Sequence, residues 1–458
     1  MMLVAAARAA GDPGYPGGEE LASMPAGQSA ETVKVVLQSR RFGRDLQVTR
    51  SARRALAHLR AGTPDVRPGD RLGLILATDR GDQHVLAHRL ADFGQRMQGD
   101  EIAPTDLFRA IAYFPVGRVL KSLADEAHAS GPITAMPANP AQARAVAEVW
   151  LATGRADQVA VVLAEASPDG TTAEATAQLW QDQAGSRPAA PAPLAITSYL
   201  QRGQHAEGAS CASMAAEVIT ELAPGCGRRG ILIVGSMLAD AGESLLAHLA
   251  PRDPGPPLDS SIRSLAPTLG FSEAFVLVGS SGATMTALAL AQDLMALDRA
   301  DSVVVCGVDL VHGALSRALG LLHCQDLPHL RGGAAALVLQ RRGEPGTEGG
   351  PTLEACSLVS PAVPSVPGVK LDLSAVACPS SPRRPAHAVL SGLHTIDLDC
   401  AEQLATRLWP GTPISDRADV RSVGADVLRL AGTAADRQLP MGIAAVHSLG
   451  GTGHCVIS

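Results

Sequence analysis

Two adjacent serines lie in a short turn, Gly279-Ser280-Ser281-Gly282, in which no side chain is larger than a hydroxymethyl group. A short apolar run, Phe275–Val278, precedes the turn, and an Ala- and Leu-rich run with helical spacing follows it. The pattern predicts a buried strand, a tight turn and a helix. The first N–H groups of that helix would face whatever is bound above the turn. Such a turn is a common location for a nucleophile or a bound acyl carbonyl.

Ser280 and Ser281 are therefore the candidate nucleophiles, although both fit the roles of helix cap and small packing residue better. A serine nucleophile requires an adjacent base, and His394 or His447 could supply one. Nothing in the sequence places either histidine beside the turn.

Strands and helices alternate along most of the chain, and several short patterns occur twice. Leu72–Leu76 and Gly230–Val234 are similar apolar runs that predict buried strands. Arg155-Ala-Asp157 matches Arg299-Ala-Asp301, and a Val-rich strand pattern follows each. A repeat of about 150 residues is too long for a solenoid unit. The spacing instead predicts a duplicated α/β half-domain.

Composition excludes several classes of protein. The chain has 458 residues, 46% of them hydrophobic and 18% charged, and a net charge of −7 with no basic face for nucleic acid. No stretch reaches the roughly 20 apolar residues of a membrane-spanning helix, so a cytoplasmic protein is expected. The eight cysteines form no CxxC pair, which favours buried free thiols over disulfides or zinc. Cys306 and Cys455 are expected to be buried strand cysteines, and no cofactor or metal is expected.

The order of the motifs resembles that of a β-ketoacyl synthase of the thiolase superfamily. Gly279–Thr284 and the helix after it, followed by Arg299–Asp309, are similar to the family's nucleophile turn, helix and Gly-Gly-Val strand. Gly332–Leu339 resembles the strand that closes the family's N-terminal half. Asp399-x-x-Glu402 matches an Asp-x-x-Glu pattern, and Val446–His454 looks like a shortened form of the family's terminal Gly-Gly-Thr segment.

This resemblance implies a thiolase-like layered α/β/α/β/α fold with duplicated βαβ half-domains. It implies substrate contacts for His447 and Thr452, which lie beside the terminal glycine turn. It also divides the chain into a flexible tail (1–30), a first N-terminal-like half (31–182), a Pro/Ala linker (183–204), a second N-terminal-like half (205–342) and an abbreviated C-terminal-like part (343–458).

A condensing ketosynthase, as the family implies, needs a cysteine nucleophile at the start of the helix. In the second repeat the family's cysteine falls on Gly279, Ser280 or Ser281, depending on how the turn is matched. In the first repeat it falls at about Pro137. None of these residues is a cysteine, so no acyl-cysteine is expected to form.

The family's two catalytic histidines are only half retained. His394 corresponds to the first, because it precedes Asp399 and Glu402. Ala425 stands where the family has its second histidine, and Arg421 stands in place of the lysine that begins the same segment. Without the second histidine, decarboxylative condensation loses a general acid/base contribution to its rate of roughly 10²–10⁴-fold. Leu449 also stands where the family has its gating Phe-Gly-Phe turn.

The sequence therefore predicts a ketosynthase-like accessory subunit of the chain-length-factor type, without elongating activity, in polyketide or fatty-acid biosynthesis. An active ketosynthase and an acyl carrier protein are the expected partners, and an acyl-thioester is a candidate ligand. One alternative is an acyltransferase that uses Ser280 or Ser281 with His394. Another is a structural interaction protein in which the two N-terminal-like repeats form a pseudo-dimer.

Overall fold

The computed structural model divides the chain into two compact units, which are described separately. Unit 1 comprises Met1–Pro188 and Ala247–Arg252, and unit 2 comprises Ala189–Leu246 and Asp253–Ser458. The residues described are 2–5, 33–38, 47–62, 70–79, 81, 115–167, 172–181, 193–203, 209–226, 229–236, 257–278, 282–310, 330–343, 347, 350–359, 384–392, 395–417, 421–422, 426–437, 440–446 and 452–458.

Unit 1 is a mixed sheet with three described helices. The strand order is β1-β6-β5-β3-β4, and β2 also pairs with β6. Strand β3 is parallel to β4 and β5, whereas β6 is antiparallel to its neighbours. The elements are β1 (Met2–Ala5), β2 (Val33–Gln38), α1 (Gln47–Gly62), β3 (Leu72–Ala77), α2 (Pro115–Ala127), β4 (Ile133–Met136), α3 (Pro140–Ala152), β5 (Gln158–Ala166) and β6 (Thr172–Gln181).

Unit 2 contains two five-stranded arrays. The first begins with β7 (Leu194–Gly203), α4 (Cys211–Leu222), β8 (Gly230–Ser236) and α5 (Leu258–Thr268). It continues with β9 (Glu273–Val278), α6 (Ala283–Ala296), β10 (Ser302–Asp309) and β12 (Gly333–Arg341), in the strand order β9-β8-β10-β12-β7. A separate short ladder pairs β11 (Leu330–Arg331) with β16 (Arg421–Ser422).

The second array of unit 2 has the strand order β13-β18-β17-β14-β15. Thr352 and Leu353 at the start of β13 pair with Ala195 and Leu194 of β7, which joins the two arrays. The elements are β13 (Thr352–Val359), β14 (His387–Ser391), α7 (Thr395–Leu408), β15 (Ile414–Arg417), α8 (Asp426–Arg437), β17 (Met441–Val446) and β18 (Thr452–Ile457).

The same strand order occurs three times. Numbered along its own segment, and with β1 of unit 1 left out so that β2 counts as the first strand, each array reads 1-5-4-2-3. In each array the fifth strand is antiparallel to the fourth. Within unit 2, α6 and α8 contact strands of both arrays, whereas α4 and α5 pack mainly on the first and α7 mainly on the second. The layers are therefore α/β/α/β/α, and the predicted thiolase-like fold with duplicated half-domains is confirmed.

Helix α6 belongs to the middle layer because of its composition. Every residue from Ala283 to Met295 is buried. A helix that is apolar around its whole circumference is stable only when both faces are covered. The corresponding helix of unit 1, α3, instead exposes Arg144, which forms an i,i+4 ion pair with Glu148.

The repeated Arg-Ala-Asp pattern has a structural role at the amino ends of parallel strands. Asp157 accepts hydrogen bonds from the backbone N–H and the guanidinium of Arg71, directly before β3. Asp301 accepts from the guanidinium of Arg229, directly before β8. In both units, therefore, the aspartate before one parallel strand forms hydrogen bonds with the arginine before the neighbouring strand.

Two of the predicted irregular segments contain strands. Met2–Ala5 forms β1 within the predicted tail, and Leu194–Gly203 forms β7 within the predicted Pro/Ala linker, so those parts of the prediction were wrong. Thr172–Gln181 also forms a strand that we did not predict. Its buried side chains are mostly alanines, so its alternating pattern carries a weak hydrophobic signal.

Candidate functional site at the start of helix α6

The predicted strand and helix on either side of the turn are present, and their described residues define a candidate site. Strand β9 ends at Val278 and α6 begins at Ala283, with Gly282 as the N-cap residue. Gly279, Ser280 and Ser281 lie outside the described residues, so their nucleophilic role stays a prediction. Gly282 has no side chain that could cap the helix. The positive end of the α6 dipole is therefore not neutralised by its own N-cap residue.

The carboxyl ends of two parallel strands of the first array meet at this position. The next described helix after β8 is α5, which contacts β9 and α4, whereas α6, the helix after β9, contacts strands of both arrays. Strands β8 and β9 are parallel neighbours, and Ser236 is in register with Val278 at their carboxyl ends. Ligands of open α/β sheets bind where adjacent strands send their connections to opposite faces. The start of α6 is therefore the expected binding location in this array.

Gly235 allows the N-terminus of α6 to approach β8 closely. A Cβ atom at this position would lie 3.0 Å from the backbone nitrogen of Thr284 and 3.0 Å from its Cγ2. Any larger residue would push the first turn of the helix away from the carboxyl end of β8. Only glycine fits without displacing the turn.

Two threonine hydroxyls in the first turns of α6 differ in their hydrogen bonding. Thr286 Oγ1 donates to the carbonyl oxygen of Gly282 at 3.2 Å, as threonines in helices commonly do. Thr284 is 1% exposed, and its Oγ1 has no hydrogen-bond partner among the described residues. Thr284 is the second residue of the helix, and the residues three and four positions before it lie outside the described residues.

A buried polar pair lies at the same edge of the array. Ser236, the last residue of β8, donates a hydrogen bond of 2.8 Å from its Oγ to Oδ1 of Asp309, the last residue of β10. Both residues are fully buried. Sequence reasoning missed this pair because each partner resembles an ordinary strand end. Their proximity depends on β8 and β10 being parallel neighbours.

The terminal glycine-rich segment meets the first turn of α6. A Cβ atom at Gly453 would lie 2.6 Å from Cγ of Met285 and 2.7 Å from the carbonyl oxygen of Ser357. Cys356 Sγ lies 3.4 Å from Met285 Sδ. The structure therefore brings together two of the motifs that carried the resemblance, the nucleophile helix and the terminal Gly-Gly-Thr segment.

Of the predicted substrate-contacting residues, Thr452 is the first residue of β18 and pairs with Val446 and Val359. His447 and His394 lie outside the described residues, so their roles stay predictions. Strand β14 precedes His394 in the sequence and β17 precedes His447, and these two strands are parallel neighbours.

His454 is a core residue. It is 1% exposed, and its ring lies edge-on to Trp409, with the ring centroids 6.0 Å apart. Trp409 follows α7, the outer layer. The preceding residue, Gly453, instead contacts α6, because successive strand residues face opposite sides of the sheet. His454 therefore points away from the candidate site.

The corresponding turn of unit 1 is built differently. Pro137, where the family's cysteine falls in the first repeat, is buried between β4 and α3. Asn139 caps α3 by accepting a hydrogen bond from the backbone N–H of Gln142, and Pro140 is at the first helical position. A turn with a proline and an occupied N-cap offers neither a nucleophile nor a free helix terminus.

The six cysteines in the described part of the chain are free thiols, and five are buried, as predicted. Burial raises the pKa of Cys306 to about 12, and burial with the charges of two nearby aspartates raises that of Cys400 to about 11. Burial also raises the pKa values of Cys226 and Cys455. These four thiols lack the lowered pKa of a catalytic cysteine.

Nowhere in the described ranges do three or more His, Cys, Asp or Glu side chains come together in a way that could hold a metal ion. No helix in that part of the chain is both long and apolar enough to cross a bilayer.

No protein-family model and no curated protein matches the chain, but solved structures do. Acetamide-bound OleA of Xanthomonas campestris is 12% identical with a TM-score of 0.43, covering 58% of this chain and 99% of OleA. The 3-oxoacyl-(acyl carrier protein) synthase III FabH of Pseudomonas aeruginosa PAO1 is 16% identical with a TM-score of 0.39, covering 58% and 97%. The corresponding synthase of Aquifex aeolicus VF5 is 12% identical with a TM-score of 0.38, covering 58% and 99%.

Proposed function

We propose that this chain is a ketosynthase-like accessory subunit, of the chain-length-factor type and without elongating activity, in polyketide or fatty-acid assembly. The observation that carries the proposal is the packing of Gly453 against Met285 in the first turn of α6. This contact supports the proposal because it places the strand after the terminal glycine turn against the start of the helix after the serine turn. The segment from Glu273 to Met285, which forms the strand, turn and helix start, contains no cysteine.

The thiols elsewhere support the loss of condensing chemistry. A condensing cysteine must be a thiolate near neutral pH, and a position at a helix N-terminus normally lowers its pKa. Cys306 lies in β10, and burial raises its pKa to about 12. Cys455 lies in β18, and its pKa is also raised. Neither could replace the missing nucleophile.

An accessory role implies partners. We propose an active, cysteine-bearing ketosynthase and an acyl carrier protein, with the two chains together shaping the channel that holds the acyl group. The retained site architecture would then serve acyl binding rather than bond formation, and no cofactor is needed.

A second candidate function is acyl transfer through Ser280 or Ser281, with His394 as the base. The specific observation in its favour is that the N-cap residue Gly282 has no side chain of its own to cap the positive end of α6. A developing oxyanion is stabilised by such a helix terminus.

One experiment separates these functions. The tagged chain is incubated with an extract that contains a cysteine-bearing ketosynthase and its carrier protein, and the captured proteins are identified by mass spectrometry. Intact mass is measured in parallel after incubation with acyl-thioesters. Capture of the ketosynthase without an acyl adduct supports the accessory role.

An adduct that disappears in Ser280→Ala or Ser281→Ala, but persists in the exposed control Ser264→Ala, supports acyl transfer instead. If neither capture nor an adduct is observed, the structural interaction protein is the interpretation that remains.

A further inference from the structure

The first turn of α6 contains a buried hydroxyl group whose hydrogen bonding is incomplete. Thr284 is 1% exposed, and Oγ1 has no partner among the described residues. Buried hydroxyl groups in folded proteins are nearly always hydrogen-bonded, and an exception requires an explanation such as a bound ligand. The neighbouring Thr286, equally buried on the same helix, donates to Gly282.

The surroundings of Thr284 define what would complete its hydrogen bonding. The helix N-terminus carries a partial positive charge, and Gly282 supplies no capping side chain. Gly235 brings this turn against the carboxyl end of β8, beside the carboxyl end of β9. A positive potential beside a hydroxyl donor selects an electron-rich oxygen, either a carbonyl or a carboxylate.

We infer that Thr284 is a ligand-binding residue whose hydroxyl donates a hydrogen bond to the carbonyl or carboxylate oxygen of an acyl group bound at the N-terminus of α6. The acyl character of the ligand rests on the proposed function, whereas the hydroxyl and the helix terminus are features of this chain. Thr284 would position the acyl oxygen and takes no part in making or breaking bonds.

The test compares Thr284→Val with Thr286→Val. Both variants replace a buried hydroxyl with a methyl group on one helix, and only the first removes the proposed ligand contact. The full-length chain is titrated with octanoyl-N-acetylcysteamine, a soluble thioester, and separately with octanoate. Binding is measured by calorimetry and by the shift of Tm with ligand concentration. The two probes show whether the bound oxygen belongs to a thioester carbonyl or to a carboxylate.

We expect the wild type to bind at least one probe and Thr284→Val to bind it about tenfold more weakly, the equivalent of one hydrogen bond. Thr284→Ser, which retains the hydroxyl, and Thr286→Val should stay within about threefold of wild type. Without ligand, Thr284→Val should have a Tm equal to or above that of wild type, because it removes a polar group that has no partner. Thr284→Ala serves as a second variant without the hydroxyl and should show the same loss of binding.

Equal affinity of Thr284→Val and wild type would overturn the inference, as would a wild type that binds neither probe. A Tm of unliganded Thr284→Val well below that of Thr286→Val would also overturn it, because the hydroxyl would then have a partner within the protein. Capture of the ketosynthase tests the proposed function separately. Capture without probe binding overturns only the role of Thr284, and probe binding through Thr284 without capture overturns only the accessory role.

Discussion

Ser236 and Asp309 form a buried hydrogen bond of 2.8 Å between the carboxyl ends of two neighbouring parallel strands, β8 and β10. The bond fixes the edge of the array against which the first turn of α6 packs, since Gly235 and Thr284 are in contact directly beside it. Removing the Ser236 hydroxyl would leave the buried carboxyl group of Asp309 with one hydrogen bond fewer and no water to replace it, which costs free energy.

Ser236→Ala should lower the free energy of unfolding by about 1–3 kcal/mol, because it removes a donor from a buried carboxyl group. Urea unfolding monitored by circular dichroism would measure the change. Ser264→Ala is the matched control, because the Ser264 hydroxyl bonds to Ser260 on an exposed helix face, and its effect should stay within about 0.5 kcal/mol. Equal effects of the two substitutions would show that the hydrogen bond between Ser236 and Asp309 does not contribute to the stability of the fold.

Gly453→Ala should destabilise unit 2 by about 1–3 kcal/mol, the range for overpacking a tight core. The added methyl group would overlap Met285 and the carbonyl oxygen of Ser357. Gly350→Ala is the control, since a Cβ atom there would have no neighbour closer than 3.9 Å. The same unfolding assay applies. A stable Gly453→Ala would mean that the terminal strand does not pack against the start of α6 as described.

The two Arg–Asp pairs predict an acid dependence of stability in each unit. Burial alone raises the pKa of Asp157, but the hydrogen bonds and charge of Arg71 outweigh burial and lower it. For Asp301, the hydrogen bond from Arg229 is the largest influence and lowers the pKa. In both cases the folded pKa lies below the unfolded value of about 3.9. The stabilisation is therefore present above about pH 4 and is lost as the pH falls through the folded pKa.

Asp157→Asn and Asp301→Asn should each reduce the loss of Tm between pH 5 and pH 3, as measured by calorimetry. Arg71→Met and Arg229→Met should reduce it as well, because without the guanidinium the aspartate pKa returns towards its ordinary value. The effects should be small, since these side chains are partly exposed and solvent screens surface ion pairs. A pH dependence unchanged in all four variants would show that the pairs are not formed in solution.

The buried thiols should resist alkylation in the native protein. At pH 8 a thiol of pKa about 12 is only about 10⁻⁴ ionised, whereas an ordinary cysteine is about one quarter ionised. Iodoacetamide should therefore label the Cys306 and Cys455 peptides far more slowly than free N-acetylcysteine, and at the ordinary rate after unfolding in urea. Peptide mass spectrometry measures both rates. Rapid labelling of either cysteine in the native state would contradict this prediction and would make that thiol a candidate nucleophile.

Local pattern was sufficient for the central elements of the fold. The apolar run before Gly279 predicted β9, and the Ala- and Leu-rich run after Gly282 predicted α6. These signals depend on residues that are one to four positions apart and are therefore readable without a structure. The strand β7 was missed because the prolines before Leu194 dominate the local composition, although its pairing with β12 decides its conformation.

The sequence alone determined that no cysteine stands at the start of α6 and that half-domains recur along the chain. It also determined which segments can be strands and helices, because side-chain periodicity and turn residues act locally. Only the tertiary structure decided that Gly453 touches Met285, that Ser236 bonds to Asp309, and that His454 faces Trp409 rather than the site. Such contacts depend on the order in which distant strands pair and on the face each strand presents, and short-range pattern encodes neither.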